Sequence, residues 1–285
     1  MTRYLARVIA GDTPSLEDWN EHVIAFHLAF GAATENLASL LRTAGGETSY
    51  DVLANRIKTV APNARSLLDI GCGDGMLLER LATAFGPDLA LTGIDLSAAA
   101  IERARAKVPG ASLACADADG YAMGREVYDV ITAHLSFMAM PRLRAVIGRA
   151  RDALRPSGRL VFVTEDPLAG DTFVGLMRKA IAALRGRLPK FAPLVPGREP
   201  IERDDALRAL LADVGLNTHA IERYELRGSF TREQLWVMVQ RTYPIGLLDP
   251  ALREEIREET LASAPPTGRD GLVPIELSVR LVAAG

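Results

Sequence analysis

The stretch Leu67-Leu68-Asp69-Ile70-Gly71-Cys72-Gly73-Asp74-Gly75 decides the fold. The apolar run from 66 to 70, carrying one acid, predicts a short buried strand. Glycines at 71, 73 and 75 predict a turn with unusual φ values, over which a ligand can approach the backbone closely. Helical periodicity starts at Met76, so the unbonded N–H groups of a helix N-terminus face the same turn. Such a unit serves several nucleotide-like ligands.

Downstream, strands are predicted at 89–94, 112–116, 127–133 and 159–164. Helices fall between them at 98–108 and 141–154, and Pro156-Ser157-Gly158 reads as a tight turn. Alternating strands and helices predict a mostly parallel sheet with helices on both faces, an α/β fold. A helix at 205–214, closed by Gly215, and strands at 219–226 and 275–282 complete it. Upstream, Ser15 with Asp18 fits a capping box and opens a predicted helix over 15–43, followed by a second at 50–60. The segments 166–200 and 228–272 break the rhythm and read as helical inserts. The expected organisation is an N-terminal helical cap over 1–60, then one domain over 61–285 with two lid-like inserts.

The 285 residues are 48 % apolar and 24 % charged, enough for one large core. A net charge of −3 lacks the basic footprint of a nucleic-acid binder. No run approaches the roughly 18 apolar residues of a membrane span, and residues 1–14 lack a signal-peptide core. Only Cys72 and Cys115 occur, so a disulfide framework is not expected and the reading is cytoplasmic. His22 and His27 are five apart, off the helical spacing of a metal pair, and no metal site is expected.

Two acids narrow the ligand. Asp95 ends the second strand, about 20 residues beyond the glycine turn, where an acid accepts bonds from both ribose hydroxyls. Asp117 follows the third strand, placed to accept from an adenine amino group. With these three stretches in order, the chain resembles the class I S-adenosylmethionine-dependent methyltransferases, whose fold is Rossmann-like with seven strands, the last antiparallel. The likeness rests on 69–75, on Gly93-Ile94-Asp95-Leu96-Ser97, on Ala116-Asp117-Ala118, and on the later stretches at 128–131 and 154–158. It covers about residues 61–165. The resemblance implies that Asp69, Gly71, Cys72, Gly73 and Gly75 hold the methionine end of S-adenosyl-L-methionine. It places the ribose at Asp95, the adenine at Asp117 and Ala118, Leu96 and His134 also against the cofactor, and S-adenosyl-L-homocysteine as product. A nicotinamide enzyme is disfavoured, because the turn reads G-x-G-x-G rather than G-x-G-x-x-G and no Tyr-x-x-x-Lys pair stands out.

Methyl transfer demands placement in line more than covalent help, because the sulfonium is already a good leaving group. His134 follows the fourth strand in Ala133-His134-Leu135-Ser136-Phe137. It reads as a base or acceptor contact, or else as a pocket-wall histidine. Phe137 is a candidate acceptor contact in the same stretch. Glu165, with Asp166, ends the fifth strand and reads as base, cation stabiliser or solvated acid. Trp19, Phe26, His27 and Phe30 sit at core spacings in the first helix, and a lid over the sulfonium is their functional reading. Arg178 in the first insert and Trp236 in the second are candidate acceptor contacts, the former for an anion. The expected reaction is methyl transfer to O, N or C of a small molecule, in bacterial secondary metabolism given the Ala-, Arg- and Leu-rich composition. One branch is C-methylation of an isoprenoid-like alkene with Glu165 as base; another is a cofactor-binding protein that does not methylate, such as a cyclase. Nucleic acid and membrane are not expected partners, and lid helices offer a surface for a homodimer.

Overall fold

The computed structural model describes residues 1–31, 38–166, 172–197 and 201–285. Seven strands form one sheet in the order β3-β2-β1-β4-β5-β7-β6. They are β1 (Ser66–Ile70), β2 (Ala90–Asp95), β3 (Ser112–Cys115), β4 (Tyr128–His134), β5 (Leu154–Glu165), β6 (Thr218–Phe230) and β7 (Val273–Ala284). The first five pair in parallel. β7 runs antiparallel between β5 and β6, as the resemblance implies.

Alternation along each strand divides the apolar residues between two clusters, one per face. Leu67, Val130, Val161 and Leu281 belong to one; Leu68, Ile131, Leu160 and Val282 belong to the other. The second face is covered by α6 (Leu143–Ala153) and α8 (Asp204–Asp213). The first face carries the rest. It packs against α1 (Arg3–Ala10), α2 (Leu16–Phe30), α3 (Ser49–Val60), α4 (Met76–Phe85), α5 (Ala98–Lys107) and α7 (Thr172–Arg187). Three helices between β6 and β7 join it: α9 (Arg232–Gln240), α10 (Tyr243–Gly246) and α11 (Pro250–Leu261).

Two expectations about the N-terminus change. The helix opened by the Ser15–Asp18 capping box ends at Phe30, where Gly31 at φ 58 turns the chain, rather than running to 43; residues 32–37 of the expected span lie outside the described ones. A helix the sequence reading passed over, α1, precedes it. Thr2 caps α1 through a bond from the Leu5 N–H, and Gly11 at φ 85 closes it in the left-handed region. Pro156-Ser157-Gly158 is absorbed into β5, with a register irregularity opposite it between Tyr128 and Val130.

Gly93 shows how tightly β2 meets its neighbours. A Cβ there would lie 2.8 Å from both Leu113 and Leu78 and 2.9 Å from Cys72 Sγ. Gly93→Ala is therefore expected to lower stability by about 2 kcal/mol, the usual scale of overpacking. A thermal melt beside wild type measures it, and an unchanged midpoint would contradict the packing argument.

Candidate functional site

The carboxyl ends of β1, β2, β3 and β4 converge on one pocket. Its floor is the glycine turn. Gly71 adopts φ 73, and a Cβ there would come within 2.5 Å of the Ser136 Cβ. Ser136 sits that close because its hydroxyl donates to the Ile70 carbonyl at 2.6 Å, tying the β4 exit to the β1 exit. The intervening Leu135 is a non-glycine residue at φ 54, a conformation that costs roughly 1–2 kcal/mol. Its N–H bond to the Val163 carbonyl at 2.9 Å holds it there. Backbone strain thus stands beside the pocket, which Leu135 helps line.

Asp69 lies in that pocket, 1 % exposed, and its Oδ1 has no hydrogen-bond partner among the described residues. In register it stands between Gly93 and Thr132. Burial, and then the nearby charge of Asp95, push its pKa up to about 8. A buried, unpaired acid is costly unless a cation or donor meets it. The α-ammonium of a methionine moiety is such a group. Asp95 binds the loop in place: Oδ2 accepts the Gly73 N–H at 2.9 Å and Oδ1 the Ser97 N–H at 2.8 Å. Each oxygen keeps a lone pair for a ribose hydroxyl. Asp117 Oδ1 accepts from the Asp119 N–H, and its Oδ2 from Asn20 Nδ2, both at 2.9 Å. Leu96, Ala116, Ala118, Met140 and Pro141 make the surrounding wall apolar. An orphan acid, a side-chain-free cradle and two partly satisfied carboxylates fit S-adenosylmethionine from end to end.

Gly71, Cys72, Gly73, Leu96 and Ala118 line the pocket. Gly75 does not, contrary to expectation. It caps α4 at φ 83, and a Cβ there would meet the Ala104 side chain and backbone at 3.2 and 3.3 Å, so its smallness serves the packing of α5.

His134 is placed differently from the catalytic reading. It lines the cofactor pocket and is absent from the neighbouring cavity described below. Nε2 is 2.9 Å from Ser49 Oγ, and the ring stacks on Tyr50 with centroids 3.7 Å apart. Burial, then the charge of Arg80, depress its pKa to about 3. Such an imidazole stays neutral and is too weak a base to take a proton near pH 7. Its buried, unpartnered Nδ1 leaves it one polar contact to offer within the cofactor pocket.

Next to this pocket lies a second, mainly apolar cavity of about 350 Å³. Trp19, Leu135, Ala139 and Tyr243 line both. Tyr4 and Phe26 wall the cavity from the N-terminal helices, Phe173 and Met177 from α7, and Leu277 and Val279 from β7. Glu165 and Arg241 are its charged residues. Glu165 is held from behind. Arg280, buried completely, donates through Nε and Nη2 to the Glu165 carbonyl at 3.2 and 3.0 Å and through Nη2 to the Ile201 carbonyl at 2.6 Å.

Of the expected acceptor contacts, Trp19 and Phe26 line the cavity, and Trp19 Nε1 donates to the Ala139 carbonyl at 2.9 Å. Four others lie elsewhere: His27 lines the first pocket and not this cavity, and the remaining three line neither. Phe137 is 1 % exposed in the opposite cluster, against Phe162, because the left-handed turn at Leu135 carries it under the sheet. Arg178 is exposed on the outer side of α7, whose inner residues Phe173, Val174 and Met177 face the cavity. Trp236 is 2 % exposed in the core and lines neither space.

Tyr243 matters more than its sequence position suggested. Its hydroxyl lies 3.0 Å from His27 Nε2, while His27 Nδ1 lies 3.5 Å from the Gly31 carbonyl. A carbonyl only accepts, so Nδ1 carries the proton and Nε2 accepts from the phenol. Behind it, His22 Nε2 donates to the Tyr243 carbonyl at 2.8 Å, and Thr2 Oγ1 donates to His22 Nδ1 at the same distance. Burial lowers the pKa of His22 and keeps it neutral in that role.

A methyltransferase-domain family matches residues 68–160. Nocamycin O-methyltransferase of Saccharothrix syringae is 32 % identical over 61 % of this chain and 69 % of its own length. Malonyl-[acyl-carrier protein] O-methyltransferase of Priestia megaterium is 36 % identical over 39 % of this chain, and the match spans only 41 % of that relative. Among solved structures, the [4+2]-cyclase SpnF superposes with a TM-score of 0.54 over 90 % of this chain and 94 % of its own, at 15 % identity, a likeness of fold. The chain belongs to the class I S-adenosylmethionine-dependent methyltransferases. No helix among the described residues is long and apolar enough to cross a membrane.

Proposed function

We propose that this methyltransferase moves the methyl group of S-adenosylmethionine to an oxygen of a largely apolar small molecule. The observation that carries the proposal is the apolar cavity sharing Trp19, Leu135, Ala139 and Tyr243 with the cofactor pocket. An acceptor filling that cavity reaches the cofactor past these four residues, and closing aromatic walls exclude water from the transfer. O-methyltransferases among its relatives, the nocamycin and malonyl-[acyl-carrier protein] enzymes, support oxygen as the methylated atom.

Tyr243 and His27 are the pair proposed to manage the proton. When the acceptor oxygen takes the methyl, its proton passes to the Tyr243 oxygen while the phenolic proton passes to His27 Nε2. The cofactor is left as S-adenosylhomocysteine and His27 as imidazolium, which passes its proton on to solvent before the next turnover. Asp69, Asp95 and Asp117 hold the cofactor, and His134 contributes a neutral contact within its pocket. A second reading, methylation at carbon, is favoured by Glu165 lining the apolar cavity, where a carboxylate can stabilise a cation and remove its proton.

The test is S-adenosylhomocysteine formation with a panel of apolar enols, phenols, carboxylic acids and isoprenoid alkenes. With an oxygen acceptor, Tyr243→Phe is expected to cut kcat about tenfold, the low end for proton transfer because the leaving group is good. Glu165→Gln is expected to change kcat less than about twofold. The reverse pattern, on an alkene, would establish carbon methylation, and product without S-adenosylhomocysteine would make the protein a non-methylating relative.

A further inference from the structure

Asn20 is the polar residue that α2 inserts at the adenine end of the cofactor pocket. The helix lines the pocket with Trp19, Asn20, Val23 and His27. Asn20 Nδ2 lies 2.9 Å from Asp117 Oδ2, across 97 residues of sequence. A carboxylate only accepts, so the amide NH₂ must be the group turned toward it. That bond fixes the amide: a flip would set the amide oxygen against the carboxylate.

Asp117 is equally fixed. Its Oδ1 takes the Asp119 N–H at 2.9 Å, and its carbonyl takes the N–H groups of Gly120 and Tyr121 at 3.0 Å. Two of the roughly four lone-pair positions on its carboxylate are used. The amide oxygen of Asn20 accepts no bond from the described residues. The pocket, also lined by Leu96, Ala118, Met140 and Pro141, therefore offers two oriented oxygen acceptors, one on exposed Asp117 and one on half-buried Asn20.

We propose that Asn20 and Asp117 together form the reader of the cofactor's 6-amino group, with Asn20 the residue that sets selectivity. An exocyclic amine brings two N–H donors and complements two acceptors. A 6-oxo base brings an acceptor and is repelled. Asp117 is exposed and alone could rotate to tolerate the oxo group; the bonds from Asn20 and from the Asp119 N–H hold its carboxylate in one orientation, so an oxo group laid against it meets an acceptor. Selectivity of this kind arises from leaving polar groups unpaired with the wrong ligand.

The experiment is calorimetric binding of S-adenosylhomocysteine and of S-inosylhomocysteine, its 6-oxo analogue, to the full chain and to Asn20→Ala. Wild type is expected to prefer the adenine ligand by about 50-fold or more. Asn20→Ala should weaken S-adenosylhomocysteine about five- to tenfold and leave the 6-oxo ligand unchanged or tighter, so the preference shrinks at least about fivefold. If the two ligands weaken equally, Asn20 is only a fastening between α2 and the sheet, and the proposal is overturned. Unchanged affinities for both overturn it as well. Asn20→Ser, a smaller change to α2, carries the same expectation should the alanine variant fold poorly. Asp117→Asn, which frees both amides to turn, should collapse the preference in wild type and change it little in Asn20→Ala.

Discussion

Asp95→Ala is expected to weaken S-adenosylhomocysteine binding by about 10³-fold. Asp95 has two tasks, and the substitution removes both. Its two oxygens hold the N–H groups of Gly73 and Ser97, so the glycine turn and the start of α5 are set against each other by one carboxylate. The same oxygens retain lone pairs toward the pocket they line. Hydrogen bonds to a charged acceptor contribute about 1.5–3 kcal/mol each. Two lost ribose bonds, partly compensated by water, amount to about 4 kcal/mol, which is about three decades in Kd. Asp95→Asn separates the tasks, because an amide keeps one acceptor and turns a donor toward a backbone N–H. It should retain the fold and still lose at least about tenfold in affinity. Calorimetry with circular dichroism of each variant is the measurement. A loss under about tenfold for Asp95→Ala would move the ribose away from Asp95.

The pocket at the strand ends was legible because the residues that line it are local to those ends. Asp69, Gly71, Gly73, Asp95 and Asp117 each sit within a few residues of a strand that hydrophobic pattern alone locates, and sheet topology does the rest. Gly75 was misassigned because spacing cannot distinguish a glycine facing a ligand from one facing Ala104. Phe137 was misplaced for a related reason. Whether it faces the cavity or the opposite cluster turns on the left-handed Leu135, and no pattern announces a non-glycine residue at positive φ.

The apolar cavity was harder to read because it joins distant segments. Tyr4, Trp19, Met177, Tyr243 and Val279 meet in one cavity, and each looks like ordinary core in its own helix or strand. One signal was there to be used. Thr2, the apolar residues Tyr4, Leu5 and Val8, and Gly11 spell a capped amphipathic helix. Asn20 carried a weaker one, a polar residue beside Trp19 on a helix whose aromatics read either as core or as a lid.

Asp69→Asn is expected to lower S-adenosylhomocysteine affinity by about 100-fold near pH 8 and to abolish its pH dependence below that. The pocket holds the Asp69 carboxyl at a pKa of about 8, against 3.8 for the unperturbed group, through burial first and then the charge of Asp95. At this group the folded chain therefore binds more protons than the unfolded chain between those two values. The Asp69 contribution to stability falls as pH rises from about 4 to about 8; below about 6.5 it is offset by His134, whose pKa is lowered on folding from 6.5 to about 3, so the net loss is expected between about 6.5 and 8. A ligand ammonium at Asp69 favours the ionised form, so binding near pH 7 must expel a proton. About one proton per ligand should appear, read as the dependence of calorimetric enthalpy on buffer ionisation enthalpy. Affinity should rise about tenfold per pH unit up to about 8, then turn down as the ligand's own amine titrates. His134, with its pKa near 3, is neutral throughout this range and adds no proton of its own. The asparagine variant has no proton to lose, so both the release and the slope vanish. Its remaining deficit is the lost charge-assisted contact of about 3 kcal/mol, the scale for a buried ion pair stripped of one partner. Proton release that persists in Asp69→Asn would place the ammonium against another acid and remove Asp69 from the methionine end of the site.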